Sequence, residues 1–268
     1  MKKLVAVCLV FLYGPIYSFA QNGNLPELES DRPTRSQGAA VVPMGTLQIE
    51  SGLELLKAHD EFGDQKEYLD PTTLIRIGIL KNAELRLNAD LKKERAHVLS
   101  NPGSGNTPEE VKQGFSDIMV GTKVKLFGGK GAIPQVSILG SVTLPFGNKS
   151  FRPPHVAPEG RVLFSNKFSE KFEVQYNVGY RKHRDHEAYG GEALYAVTGN
   201  LKLTDKFIWF AEVFGQKPKA EEAEHGIDTG LEFKLLPNLQ LDIIGAIGLN
   251  EQAPDYIVGG GISWRIPR

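Results

Sequence analysis

Apolar and polar residues alternate along this chain in about twelve short runs between Thr46 and Ile266. The connections between the runs alternate as well, first short and then long. A closed barrel in a membrane produces both patterns, because each strand faces lipid on one side and the lumen on the other, with tight turns at one rim and loops at the other. The sequence therefore predicts an all-β fold, a single antiparallel transmembrane β-barrel of about 12 strands.

The first run shows the two faces of a predicted strand. Side chains point alternately to opposite sides of a strand. Its residues divide into an apolar and a polar set: Leu47, Ile49, Leu53 and Leu55 against Gln48, Glu50, Gly52 and Glu54. The run from Ala83 to Lys92 divides in the same way, with charge throughout its polar set. Such regular charge is not expected in a soluble β-sandwich, which is the alternative fold.

The predicted strands cover most of the chain after residue 45: 46–57, 68–80, 83–92, 115–127, 133–145, 158–167, 172–181, 192–203, 207–215, 225–235, 239–249 and 255–266. Short turns follow the even-numbered ones, as at Lys81-Asn82, and longer connections follow the odd-numbered ones except at 250–254. Amphipathic rings are expected at both rims. They are Phe172, Phe207, Trp209, Phe233 and Trp264 at the periplasmic rim and Tyr180, Tyr195 and Tyr256 at the outer rim.

Residues 1–20 have the pattern of a secretory signal peptide, because Lys2 and Lys3 precede an apolar stretch that ends near Ala20. The predicted organisation is a signal peptide over 1–20, an extended N-terminal segment over 21–45 and the barrel over 46–268. The single cysteine, Cys8, lies in the signal peptide. The exported chain would therefore hold together through the hydrogen bonds of a closed barrel, without disulfides.

Charge and hydropathy exclude several classes of function. The chain has 31 Lys and Arg against 32 Asp and Glu, and removal of Lys2 and Lys3 leaves 29 against 32. This balance gives no basic surface for nucleic acid. No apolar stretch after residue 20 is long enough for a spanning helix, and the mean hydropathy of -0.24 fits a barrel because half of each strand is polar. We expect no cofactor and no metal.

Five stretches, in order, carry a resemblance to a known family: ESDRPT at 29–34, VPMGTLQIESG at 42–52, PTTLIRIGI at 71–79, NAELR at 82–86 and PDYIVGGG at 254–261. The chain resembles the transporter-type outer-membrane proteins grouped with the phenol meta-pathway family. The resemblance implies passive passage of a small solute, hydrophobic or aromatic, across the outer membrane of a Gram-negative-type bacterium. Such barrels often end in an aromatic residue, whereas this chain offers Trp264 or Ile266 near its end.

The partners expected for such a protein are outer-membrane lipid, the barrel-assembly machinery and a small-molecule solute, and we expect a monomer. Two other classes stay open. One is a structural or partner-binding barrel with a closed lumen. The other is an outer-membrane hydrolase, which lacks support because the sequence has no Gly-x-Ser-x-Gly elbow.

The candidate lumen residues are the charged ones on the predicted inward faces. They are Glu50, Glu54, Arg76, Glu84, Arg86, Asp90, Lys123, Lys125, Arg161, Glu173, Arg181, Glu212, Asp228, Glu232, Lys234, Asp242 and Arg265. Unpaired charge is costly in a small lumen, so these residues predict either a salt-bridged filling or a polar, weakly selective path. Neither sign dominates.

The N-terminal segment carries Asp31, Arg32 and Arg35 together with prolines, directly before the first strand. One hypothesis is that it folds into the lumen as a plug whose charges pair with those of the strands. The alternative is a disordered periplasmic tail.

The six histidines fall in or beside predicted outer loops: His59, His97, His155, His183, His186 and His225. They have no ligand spacing that would indicate a metal site, and we interpret them as solvated loop residues.

Overall fold

The computed structural model describes residues 25–59, 65–97, 109–130, 132–185, 188–219 and 221–267. They form twelve strands: β1 (Leu47–His59), β2 (Gln65–Leu80), β3 (Ala83–His97), β4 (Glu109–Phe127), β5 (Gln135–Leu144), β6 (Ala157–Lys167), β7 (Phe172–Asp185), β8 (Ala188–Lys202), β9 (Phe207–Pro218), β10 (Glu224–Leu236), β11 (Leu239–Gly248) and β12 (Tyr256–Ile266). The predicted signal peptide lies outside the described residues. Among those described, no helix has the length and apolar character needed to cross a membrane.

The strands pair in chain order, and β12 pairs antiparallel with β1 to close the barrel. Closure leaves no sheet edge with unpaired backbone groups, which is the condition for a β-structure in a lipid bilayer. The predicted fold class, a single antiparallel barrel of twelve strands, is confirmed.

The two faces of the barrel wall differ sharply in exposure. On β1, Leu53 and Leu55 are 44% and 49% exposed, whereas Gln48 and Glu50 are 1% exposed. The outside is therefore apolar and the inside polar, the arrangement that lipid around the barrel requires.

The aromatic residues predicted at the periplasmic rim lie at the end of the barrel where short turns join the strands. The rings of Phe207 and Phe233 stack with centroids 4.8 Å apart, and Trp209 and Trp264 are exposed on the same outer face. These rings form the kind of interfacial belt that barrel walls carry.

Several strands are longer than predicted at the rim with the loops. β3 continues past residue 92, and β4 begins before residue 115. In these extensions Lys93 is opposite Gln113 and Arg95 is opposite Val111. Backbone pairing needs no alternation of side chains, so the loss of the apolar pattern there did not end the strands.

The predicted connection 182–191 is wrong for most of its length, because β7 extends to Asp185 and β8 begins at Ala188. His183 consequently lies in β7 and not in a loop, while His186 lies outside the described residues. The alternation of short and long connections is weaker than predicted for the same reason.

Candidate functional site: the lumen and its N-terminal segment

Residues 25–45, here called the lumen segment, run inside the barrel. The segment is hydrogen-bonded to at least one side chain on every strand. From β1 to β12 these partners are Glu50, Arg76, Glu84, Lys123, Ser137, Ser165, Asn177, Thr198, Glu212, Lys234, Asp242 and Ser263. A segment without regular structure is thus held by the wall around its whole circumference.

Asp31 is the centre of a buried charge cluster on the β2–β4 side of the lumen. Its carboxylate accepts hydrogen bonds from Lys123 Nζ at 2.8 and 3.0 Å and from Arg86 Nη1 at 2.6 Å. Arg76 Nη1 lies 3.6 Å away. Burial acts to raise the pKa of Asp31, but Arg76, Lys123 and Arg86 outweigh it and hold this pKa far below its ordinary value. The carboxylate stays ionised.

Strand carboxylates complete the cluster. Arg76 donates to Glu84 at 2.8 and 2.9 Å and to Glu50 at 2.9 Å, while Glu84 also accepts the Val42 backbone N–H at 2.6 Å. All three strand side chains are nearly inaccessible to solvent. Because each charge has opposite charges and hydrogen bonds around it, this side of the lumen is a salt-bridged filling. Below, Asp31, Arg76, Arg86 and Lys123 with Glu50 and Glu84 are called the anchor cluster.

Arg32 crosses the seam between β1 and β12, where glycines leave room for it. Its guanidinium donates to Asp242 at 3.0 Å. A Cβ added at Gly52 would lie 2.1 Å from Arg32 Cζ, and one added at Gly261 would lie 2.4 Å from Arg32 Nε. Gly52 and Gly261 are opposite each other in the register, so the wall there is shaped around this side chain.

We expect Gly52→Val to displace the Arg32 guanidinium from Asp242. Breaking a buried ion pair should lower the free energy of unfolding by about 3 kcal/mol, measured by urea titration of the lipid-reconstituted barrel. Gly245→Val is the matched control, because a Cβ at Gly245 meets no atom within 4 Å. Equal losses in the two variants would contradict this explanation of Gly52.

On the opposite side, Glu212 holds the turn 33–36 of the lumen segment. Its carboxylate accepts the backbone N–H groups of Arg35 at 2.6 Å and Ser36 at 2.7 Å. The Thr198 hydroxyl contacts both Glu212 and the Ser36 hydroxyl. The groups that Glu212 contacts here are backbone N–H groups and a hydroxyl, whereas the carboxylates of the anchor cluster contact cationic side chains.

The Arg35 side chain leaves the turn toward the loop rim. It donates to Glu54 at 2.7 Å and lies 5.9 Å from the centroid of the Phe214 ring. Burial acts to lower the pKa of Arg35, but Glu54 and then Glu212 and Asp228 outweigh it, so this pKa is raised above its ordinary value.

Two cavities lie on either side of the turn 33–36. The cavity toward the loop rim has a volume of about 490 Å³, and Arg35, Glu54 and Phe214 are among its lining residues. The cavity toward the turn rim has a volume of about 180 Å³ and is lined in part by Glu232 and Lys234. Thr34 lines both, so the two cavities meet at the turn 33–36.

The predicted lumen residues divide among these environments. The members of the anchor cluster are Glu50, Arg76, Glu84, Arg86 and Lys123. The loop-side cavity is lined by Glu54, Asp90, Arg161 and Arg181, and the turn-side cavity by Glu173, Glu232 and Lys234. Asp242 binds Arg32, Arg265 donates to the Pro26 carbonyl, and Glu212 accepts from the turn 33–36. Asp228 is buried opposite Glu212 in the register, and Lys125 is half-buried on β4. Asp31, Arg32 and Arg35 all contact strand carboxylates or cations.

Sequence reasoning missed the uncharged residues that hold the segment, namely Ser137, Ser165, Asn177, Thr198 and Ser263. Their inward orientation was predictable, because Thr198 and Ser263 occupy inward-facing positions in the alternation of their strands. They are absent from the candidate lumen residues because those are charged residues only.

Two of the histidines, His59 and His225, contact side chains near the loop rim. His59 Nδ1 lies 2.6 Å from Asp255 Oδ2, and His225 Nδ1 lies 2.7 Å from the Tyr195 hydroxyl. In the part of the chain that the structure describes, no three His, Cys, Asp or Glu side chains are grouped to hold a metal ion.

A closed barrel with an apolar exterior and a polar lumen defines the class of outer-membrane β-barrel proteins. Within that class, residues 30–266 match the family described as "Putative MetA-pathway of phenol degradation", and the chain belongs to this family. The suspected family is thereby confirmed. No functionally curated protein matches the chain in sequence.

Solved structures share the fold at low sequence identity. An outer membrane channel from Pseudomonas putida F1 superposes with a TM-score of 0.64 at 10% identity, over 84% of this chain and 97% of that one. The translocator domain of the autotransporter NalP from Neisseria meningitidis gives 0.52 at 10% identity, over 82% and 87%. The transport unit of AIDA-I from Escherichia coli gives 0.52 at 9%, over 88% and 91%. The first of these proteins is described as a channel and the other two as the transporting parts of autotransporters, and at this identity the likeness shows the shared barrel fold.

Proposed function

We propose that the protein is a passive channel of the outer membrane for a small solute, and that the turn 33–36 is its gate. The observation that carries the proposal is the pair of cavities that meet at this turn. The barrel fold supports placement in the outer membrane. The family description refers to phenol degradation and supports aromatic compounds as the class of solute.

The contacts of the lumen segment suggest which part moves. The anchor cluster fixes Asp31 through several buried ion pairs, which are costly to break. The turn 33–36 is held at Glu212 by two neutral backbone donors, each worth about 1.5–3 kcal/mol to a charged acceptor, and by the ion pair of Arg35 with Glu54. This ion pair is more exposed to solvent than those of the anchor cluster and is therefore less costly to break. The turn can therefore leave the wall at lower cost than the rest of the segment, and its departure joins the two cavities.

We expect Thr198→Val to open the channel more often. The substitution keeps the shape of the side chain and removes the hydroxyl that contacts Ser36 and Glu212. The loss of about 1 kcal/mol should raise the open probability about fivefold, measured by single-channel recording of the purified protein in planar bilayers. Thr229→Val is the control, because the Thr229 hydroxyl bonds the Phe210 carbonyl on the lipid side of the wall.

A closed structural barrel is the second candidate, favoured by the contacts of the lumen segment with all twelve strands. Recordings without openings from both the wild type and Thr198→Val would support this candidate. Such a result would contradict the channel.

A further inference from the structure

We infer that the loop-side cavity is a binding site for neutral aromatic compounds, with phenol as a simple example, and that they stack on the Phe214 ring. This inference rests on the proposed function, because it assigns a site and a charge state to the aromatic solute proposed there. The cavity has a volume of about 490 Å³, which lies within the range of about 300–1,000 Å³ that is usual for small-molecule sites.

One side of the cavity is apolar. Six inward residues from six neighbouring strands form it, and all of them line the cavity: Leu56, Ala196, Phe214, Gly226, Ala246 and Ile257. The register places Phe214 between Ala196 and Gly226. It places Ile257 between Ala246 and Leu56. This set, called the apolar wall below, carries no polar side chain. An apolar solute that covers the wall removes apolar surface from water, which favours its binding.

Phe214 is the aromatic member of the apolar wall. Its ring is half-buried and reaches across to β10, because a Cβ added at Gly226 would lie 2.5 Å from Phe214 Cζ. Arg35 Cζ lies 5.9 Å from the ring centroid, at the limit of about 6 Å for a cation–π contact. The ring therefore keeps surface that faces the cavity. A second aromatic ring can stack there with centroids about 4.5–7 Å apart, whereas a saturated ring of similar size would lack this interaction.

The arginines around the cavity are already paired. Five of them line it, and each forms an ion pair with a carboxylate of the described residues: Arg32 with Asp242, Arg35 with Glu54, Arg86 with Asp31, Arg161 with Glu159, and Arg181 with Glu192. An anionic solute would have to displace one of these carboxylates or enter without a counter-charge, and both are costly. A neutral solute meets neither cost.

The site lies directly beside the proposed gate. Thr34 and Arg35 of the turn 33–36 line the same cavity as Phe214. The cavity is present while the turn is bound to Glu212, so a solute can bind at Phe214 before the turn moves. Binding can therefore be measured separately from passage through the barrel.

The test is equilibrium dialysis of radiolabelled phenol, benzoate and cyclohexanol at pH 7 against the purified protein in liposomes. Protein-free liposomes of the same lipid correct for partitioning into the bilayer. Phenol is neutral at this pH and benzoate is an anion. We expect the dissociation constant of phenol to be lower than that of benzoate by about tenfold or more, because the anion finds no free cation. It should be lower than that of cyclohexanol by about threefold or more, because cyclohexanol cannot stack.

Two variants test the role of Phe214. Phe214→Ala and Phe214→Leu should each raise the dissociation constant of phenol by about threefold or more. The leucine variant keeps apolar volume in the wall and so guards against a loss of folding. Phe233→Ala is the control, because it removes a ring that stacks with Phe207 on the outer face and should leave phenol binding unchanged.

The outcomes separate this site from the channel. Equal dissociation constants for phenol and benzoate overturn the inference, and so does unchanged phenol binding in both Phe214 variants. Current through the wild type without binding that depends on Phe214 also overturns it and leaves the channel standing. Binding that depends on Phe214, with no current in the wild type or in Thr198→Val, supports the site and overturns the channel.

Discussion

A disulfide between residues 36 and 198 is expected to close the channel in a reversible way. The Ser36 and Thr198 hydroxyls are in direct hydrogen-bond contact, so Ser36→Cys with Thr198→Cys brings two thiols together across the gate. The chain has one cysteine of its own, Cys8, in the predicted signal peptide, so no other thiol of the mature chain would compete. The oxidised variant should show almost no conductance in planar bilayers, and a reductant should restore it.

A second cysteine pair serves as a control, because it restrains the lumen segment at a point outside the turn 33–36. The Ser30 and Ser263 hydroxyls lie 2.6 Å apart, so Ser30→Cys with Ser263→Cys ties the lumen segment to β12 before the turn 33–36. Conductance of this oxidised variant should equal that of its reduced form. If the 36–198 disulfide leaves conductance unchanged, the turn is not the gate.

Much of the wall could be predicted from sequence because parity alone decides which way a side chain points. Glu50 and Glu212 lie on different strands, yet each follows from the alternation of its own run. The same rule gives Asp228 its inward position. The assignment of each residue to the lipid or the lumen face does not depend on how the sheet closes. The two faces were therefore predictable from the single strands, and their regular alternation indicated the fold class.

The partners inside the lumen could not be predicted in the same way. Glu212 accepts backbone N–H groups of Arg35 and Ser36, and every residue carries such groups, so no sequence pattern marks these two. In the sequence Gly52 and Gly261 are simply glycines within strands. Their role, to leave space for a side chain, becomes visible only because Arg32 lies across both. These contacts join residues far apart in sequence and exist only after the barrel has closed.

Asp31→Ala is expected to destabilise the barrel by about 3–5 kcal/mol, because it removes the ion-pair partner of the buried Lys123 and leaves the buried Arg86 with Glu84 alone. Urea titration of the reconstituted protein measures the loss. Asp255→Ala is the control, since the pair of Asp255 with His59 is exposed at the rim and should contribute about 1 kcal/mol or less. A loss at Asp31 no larger than that at Asp255 would show that the anchor cluster does not hold the segment.

Removal of both charges tests whether the cost comes from the unpaired cation. Asp31→Asn alone should be strongly destabilising, and addition of Lys123→Met should recover much of the loss, because no lysine charge is then left buried beside the amide.

The contribution of Asp31 to stability depends on pH with a defined sign. A carboxyl group whose pKa is lowered by folding contributes its full stability above its unfolded pKa of about 4 and loses it only as pH falls toward the folded value.

Because the pKa of Asp31 is held far below its ordinary value, the stability of the wild type relative to Asp31→Asn should not fall as the pH is lowered from 8 to about 4. A fall over this range would mean that Asp31 takes up a proton within the cluster. No fall would mean that mild acid does not release the segment at this anchor. Any change in gating over that range would then have to arise elsewhere along the segment.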